Sequence, residues 1–171
     1  LEKDIPEILS GVLNGITTGA PLAIVIQNTN TKSGDYGNLM SVPRPSHSDY
    51  PAYVKYNGYN DIRGGGHFSG RLTAPIVFAG AVAKQFLAEK GITIGAHLKR
   101  IGSVEDECFD MNNVPKELLE ELSDKSFSTI SDVAEDKMRA EIERFRLQQD
   151  SVGGEIECAV IGLPVGIGGN M

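Results

Sequence analysis

Residues 41–71 carry no helical or strand period, and this constrains the chain more than any other feature. The stretch holds Pro43, Pro45 and Pro51, and five glycines between Gly58 and Gly70. Proline fixes φ and removes a backbone donor, and glycine weakens helices and strands alike. Neither a continuous helix nor a central strand can run through such a segment. The regular elements must come from the flanks, with a long loop laid across them. A loop of this length inside a compact domain usually carries function.

The flanks supply those elements. Residues 4–14 read as a short helix ended by Gly15, and Leu22 to Ile26, opened by Pro21, as a buried strand. Asn28 to Tyr36 is polar and reads as loop. Residues 72–90 read as a helix with Thr73 as its cap, Pro75 in its first turn and Gly91 just past its end. That helix is apolar nearly all round as far as Lys84, which predicts burial. Ile92 to Ile101 alternates, with Ile92, Ile94, Ala96 and Leu98 on one side, and reads as a strand with one wet face. Residues 115–124 and 132–149 read as two further helices. The second has a capping-box-like Asp132 and Glu135, and a core-facing stripe of Ala134, Met138, Ile142 and Phe145. Gly153-Gly154 ends it, and Ile156 to Ile161 returns as a strand. Without a regular βαβ rhythm the class is α+β.

Composition excludes several kinds of protein. With 171 residues the chain is long enough for one domain with a core, and its formal charge of −7 argues against broad nucleic-acid binding. The charge is unevenly spread. Residues 1–103 hold ten Lys/Arg against seven Asp/Glu, and residues 104–171 hold six against sixteen. An anion site therefore belongs in the first part. No apolar run is long enough to span a membrane, and the start has no basic region of a secretory signal. Cys108 and Cys158 fit no metal spacing, and two thiols suggest a reducing compartment. The chain opens inside a helix or turn and stops at Asn170-Met171 after a glycine-rich stretch, as an excised fragment would.

Chemistry concentrates in residues 43–73, where Arg44, His47, Asp49, Lys55, Asp61, Arg63, His67 and Arg71 are interleaved with four tyrosines, Tyr50, Tyr53, Tyr56 and Tyr59. Within it, Arg63-Gly64-Gly65-Gly66-His67-Phe68-Ser69-Gly70-Arg71 reads as an anion loop. Glycines let backbone N–H groups approach an anion, the following helix N-terminus favours negative charge, and arginines can grip oxygens in pairs. A flexible glycine turn with surface arginines is the plainer alternative. No G-K-[ST] follows the glycines, and Ser69 replaces the third glycine of a dinucleotide motif. His47, His67 and His97 do not form a metal set, and a strand histidine such as His97 is usually packed or on the surface.

The ordered motifs resemble the chorismate synthase family. Arg44-Pro45-Ser46-His47-Ser48-Asp49 is similar to its R-P-S/G-H-A-D stretch. Lys55 to Thr73 follows its K-Y-G-x-x-D-x-R-G-G-G-R-x-S-A-R-E-T, with one extra residue between Tyr56 and Gly58. Gly11 to Asn28, Asp35-Tyr36, Asp150 to Gly154 and Gly162 to Gly166 resemble further segments of the family in the same order. His67, Gly70 and Leu72 depart from it, standing where arginine, alanine and glutamate are commoner. At position 67 a titratable ring thus replaces a permanent charge.

The resemblance implies a β-α-β sandwich of the chorismate synthase type, truncated at both ends, so that residues 1–171 form a single partial domain. It implies the anti-1,4-elimination of phosphate from 5-enolpyruvylshikimate 3-phosphate to give chorismate, in the shikimate pathway of aromatic amino acid biosynthesis. Reduced FMN is the implied cofactor, with an association with NADP, and a cytoplasmic homotetramer the implied assembly. Carried over by motif position, His47 is the catalytic proton donor, His67, Phe68 and Ser69 touch the flavin, and Arg71 with Arg63 binds substrate oxygens. Lys55 supplies electrostatics or loop architecture, and Asp49 and Asp61 orient the cations. The family's early G-x-S-H-G segment and its C-terminal flavin loops are missing. The 171-residue chain alone is therefore expected to be inactive, and the alternative reading is a folded, non-catalytic fragment that binds anions through its glycine loop.

Overall fold

The computed structural model describes residues 4–29, 33–39 and 41–167, with Ser33 and Asp35 described in their backbone only. Leu1 to Lys3, residues 168–171 and the Asp35 side chain, all of which entered the sequence reading, lie outside the described residues. The chain divides into two compact units, residues 1–81 and 82–171.

The first unit opens with β1 (Pro6–Ser10), β2 (Val12–Leu13), β3 (Ile16–Thr17) and β4 (Ala23–Ile26). Strands replace the helix expected over 4–14. β1 pairs antiparallel with β4, Pro6 opposite Ile26 and Ile8 opposite Ile24, and β2 pairs with β3. Asn14-Gly15 makes the two-residue hairpin turn, with φ of 51° and 79°. Asn-Gly is the favoured dipeptide for such a turn because both positions need positive φ, and that local signal outweighs the weak helical spacing. β4 forms where expected, but Ile24 to Ile26 are half-buried and Ala23 is exposed.

The long loop also contains a helix. α1 (Asp49–Lys55) places Pro51 in its first turn, where a missing N–H costs nothing. Asn57, at φ 52°, ends it, with Gly58 N–H bonded to Tyr53 O at 2.9 Å. Tight turns over Arg63–Phe68 and Gly70–Leu72 follow, and Gly64, Gly65 and Gly66 all have positive φ. Ser69 caps the second turn, its hydroxyl accepting the Arg71 N–H at 3.2 Å. The Thr73 hydroxyl donates back to Gly70 O at 2.7 Å.

α2 (Thr73–Ala88) begins in the first unit and ends in the second. Its close matches expectation: Gly91 at φ 74° and paired bonds from Gly91 N to Ala88 O and Ile92 N to Leu87 O form a Schellman ending. Its burial does not. None of its residues is buried, and Ile76, Val77 and Phe86 are each more than 60 % exposed.

The second unit is a three-stranded antiparallel sheet in the order β6-β5-β7, formed by β5 (Thr93–Ile101), β6 (Val104–Glu105) and β7 (Gly154–Ile161). α3 (Lys116–Asp124) and α4 (Asp132–Leu147) complete it. Phe109, Leu119 and Leu122 form the core, flanked by Val114, Leu118, Ile130, Ala159 and Ile161. α3 lies so close to β5 that a Cβ on Gly95 would fall 2.8 Å from Leu119 Cβ. The covered side of β5 therefore carries Gly95 and His97. Of the apolar side that the alternation marked as dry, Ile92 just before β5 is buried, whereas Ile94, Ala96 and Leu98 are only half-buried, and the partners Ile156 and Val160 are exposed.

Ala134 and Met138 of the α4 stripe are buried as expected, whereas Ile142 is 38 % exposed. The capping box does not form. Asp132 accepts from Lys125 and Glu135 from Arg139. Gln149, at φ 57°, ends α4 ahead of Gly153. Cys108 and Cys158 are free and exposed. Mixed helices and small antiparallel sheets make the chain α+β.

Candidate functional site

The site is built from the segment before α1, the three glycines and the turn into α2. Asp49, the first residue of α1, is buried and accepts three bonds, all from Arg44, with His47 close by. Arg44 donates its backbone N–H (3.0 Å) and Nε (2.8 Å) to Oδ2, and Nη2 (2.9 Å) to Oδ1. His47 Nδ1 lies 2.7 Å from Oδ1. The side-chain bonds from Arg44 hold the Asp49 carboxyl far below the usual carboxylate range, against the opposing effect of burial. The Arg44 guanidinium also lies 5.8 Å from the Tyr36 ring centre.

Gly65 lies against the far edge of His47. A Cβ there would stand 3.3 Å from His47 Nε2 and 3.4 Å from Cε1, and Gly65 has φ 81°. A Cβ on Gly66 would stand 2.8 Å from Asp61 O, whereas Gly64 faces open space. The glycines are therefore required at two positions by contact as well as by φ.

On the other side of the loop is a cleft of about 360 Å³. Arg63, Gly64, Gly66, Ser69 and Arg71 line it, with Ile24 to Ile26 and the first turn of α2 at Ala74 and Pro75. Both arginines are engaged. Arg63 donates Nε and Nη2 to Asp61, which pulls the Asp61 carboxyl down to about 2 and raises the guanidinium's own pKa. Arg71 Nη2 lies 2.6 Å from Asp4 Oδ1. An anion entering here meets two guanidiniums, a hydroxyl and a helix start, and competes with two carboxylates.

The structure thus brings Arg63, Ser69 and Arg71 together. It does not bring His67 and Phe68 into the same cleft. Those two rings pack on each other with centres 4.4 Å apart, and Tyr56 OH lies 3.2 Å from His67 Nε2. His47 is likewise not among the cleft-lining residues. Lys55 sits over the Tyr56 ring at 5.2 Å. Sequence reasoning placed Asp49 and Arg44 in the right stretch without seeing that they form one unit with His47. The signal was an acid two residues after the histidine at the start of a helix. Tyr56 matched the tyrosine of the K-Y pair in the sequence but was given no role there.

Among the described residues no group of His, Cys, Asp and Glu could hold a metal ion, and no helix is long and apolar enough to cross a membrane.

Fold and site together define an α+β protein with a cationic, glycine-walled cleft beside a carboxylate-anchored histidine. The family model for chorismate synthase matches residues 1–171. Chorismate synthase of Thermococcus kodakarensis is 47 % identical over 168 residues, which cover 98 % of this chain and 45 % of that protein. The Pyrococcus abyssi enzyme is 46 % identical over the same span, and that of Ralstonia nicotianae 42 %. A crystal structure of chorismate synthase matches with a TM-score of 0.68 and 29 % identity, covering 93 % of this chain and 45 % of that one. The chain belongs to the chorismate synthase family, and its α+β fold is of the chorismate synthase type. It spans under half the length of the relatives it matches.

Proposed function

We propose that this chain contributes the proton-donating and anion-binding part of a chorismate synthase, a lyase that eliminates phosphate from 5-enolpyruvylshikimate 3-phosphate. In the overall reaction phosphate leaves carbon 3 and a hydrogen leaves carbon 6, and no net oxidation results. The observation that carries this reading is the convergence of Arg63, Arg71 and the Ser69 hydroxyl on one cleft in a chain of this family. The substrate bears a phosphate and two carboxylates, which such a cleft suits by charge and by forked donors.

Reduced flavin mononucleotide is the proposed cofactor, and when bound it supplies an electron to the substrate and takes it back. The residues present fit it in part. Gly64 leaves its backbone open to close approach, and the half-exposed Phe68 beside His67 offers a ring surface. We assign His67 and Phe68 to the flavin ring and Ser69 to its edge, with Arg71 and Arg63 holding substrate oxygens. His47 exchanges a proton with the reacting centre. Assembly as a cytoplasmic homotetramer belongs to the same reading.

The test is chorismate formation under anaerobic reduced flavin by a protein of full family length carrying these residues. His47→Ala there is expected to lower turnover roughly 10²–10⁴-fold, the span of a general acid or base. Turnover at the original rate with an unchanged pH profile would remove His47 from the mechanism. The 171-residue chain alone is expected to give no turnover, since splitting a site loses its positioning. Turnover by that chain would show the site complete within it.

A further inference from the structure

Among the described residues His47 has two polar neighbours, Asp49 beside Nδ1 and the Arg44 guanidinium within reach of both ring nitrogens. Asp49 is 6 % exposed, and its two oxygens accept from Arg44 N, Nε and Nη2 and face His47 Nδ1. A carboxylate offers about four lone-pair directions, so all of them are used. Clamped by a guanidinium, the carboxylate is ionised and has no proton to give. At 2.7 Å an unprotonated Nδ1 would set its lone pair against those of an ionised oxygen, so the hydrogen belongs on Nδ1.

This fixes the other nitrogen. A neutral imidazole has one N–H, and with it on Nδ1 the lone pair lies on Nε2. Arg44 Nη2 does not alter the assignment. It lies 3.2 Å from Nδ1 and 3.3 Å from Nε2, within hydrogen-bond reach of both, and with the hydrogen on Nδ1 only Nε2 can accept from it. Nε2 faces the glycine loop at Gly65, where a side chain of any size would crowd it.

We propose that Asp49 is a positioning residue that locks His47 in its Nδ1–H tautomer, so that proton exchange at this site runs through Nε2 alone, at the Gly65 face of the loop. The proposal deepens the reading of His47 as proton donor and rests on it for its catalytic meaning. The tautomer itself stands on the geometry of this chain alone.

Asp49→Asn tests it. Asparagine keeps the shape but can present an N–H to Nδ1, which turns the neutral ring to the Nε2–H form. A carboxylate-to-amide change behind a catalytic histidine in a serine protease costs about 10⁴-fold in turnover by this route. In a protein of full family length, ¹⁵N spectra of labelled histidine are expected to show His47 as Nδ1–H in the original protein and as Nε2–H in the variant. Turnover should fall roughly 10²–10⁴-fold, with an altered pH profile. Asp49→Glu, which keeps the carboxylate, should retain the Nδ1–H form and recover part of the turnover. Persistence of the Nδ1–H form in Asp49→Asn, or an unchanged pH profile, overturns the proposal and leaves Asp49 a clamp for Arg44. If Asp49→Asn does not fold, the spectrum of the original protein decides, and an Nε2–H ring there overturns it. His47→Ala separates the two ideas. Unimpaired turnover in that variant sinks the functional reading, whereas a large loss in His47→Ala with none in Asp49→Asn sinks only the positioning role.

Discussion

His97 and Glu157 face each other directly across β5 and β7, with imidazole Nε2 3.0 Å from carboxylate Oε2. On the other side of the ring Asp106 Oδ2 lies 3.0 Å from Nδ1. Asp106 also accepts the N–H groups of Ile130 and Ser131, and Glu157 accepts that of Phe109. One buried ring therefore ties β7, the segment after β6 and the approach to α4 together. Removing it leaves the carboxylates facing an emptied space. His97→Ala is expected to cost about 1–3 kcal/mol or more, the scale for leaving buried acceptors without their partner. Urea unfolding followed by circular dichroism measures it, and an unchanged midpoint would show that the three groups do not hold one another.

Gly65→Ala should disturb the site more than the fold. The position has φ 81°, and a Cβ would lie 3.3 Å from His47 Nε2. The backbone penalty is about 1–2 kcal/mol, visible as a lowered melting temperature. The added methyl should also shift the His47 ring resonances. A variant with the original melting temperature and the original His47 signals would mean that the loop can relax away.

Stability should fall on the acid side. The Asp61 carboxyl is held at about 2 by its bonds from Arg63, and its unfolded value is about 4. A carboxyl whose folded pKa is depressed contributes stability above its unfolded pKa and loses it as pH falls through the folded one. Asp61 thus contributes a falling share between about pH 4 and 2, a small one because it is exposed. Asp49, lowered chiefly by the side-chain bonds of Arg44, and Glu157, lowered chiefly by its bond to His97, act in the same direction. A melting temperature that drops from pH 5 toward pH 2, and drops less in Asp61→Asn, is the expected result. An equal drop in both would assign no part of it to Asp61.

Arg71→Lys keeps the charge and loses the fork. In a protein of full family length it should weaken substrate binding by about 1–3 kcal/mol, the scale of a charged hydrogen bond, and change flavin binding much less. Because Asp4 occupies Arg71 at 2.6 Å, Asp4→Asn should tighten anion binding in the same titrations. If flavin affinity collapses in Arg71→Lys while substrate affinity holds, the division of the loop between the two ligands is inverted.

Local chemistry was enough to place α2, α3, α4, β5 and β7, because each rests on a period, a proline near a helix start or a positive-φ glycine within its own residues. Gly91 shows this well: a single residue after an apolar run fixed the end of α2. The Asn14-Gly15 hairpin was equally legible and lost only to a weaker helical spacing. Other features had no local sign. Alternation marked β5 as a strand but not its covered side, since the polar His97 is made compatible with burial by carboxylates 9 and 60 residues away. α2 reads as a core helix yet is exposed, because burial depends on what packs against a helix and not on its own composition. The ordered motifs named the family and singled out His47. Which groups stand against each of its nitrogens was decided only when α1 and the segment before it brought Asp49 and Arg44 to the ring and the glycine loop brought Gly65 to its Nε2 edge.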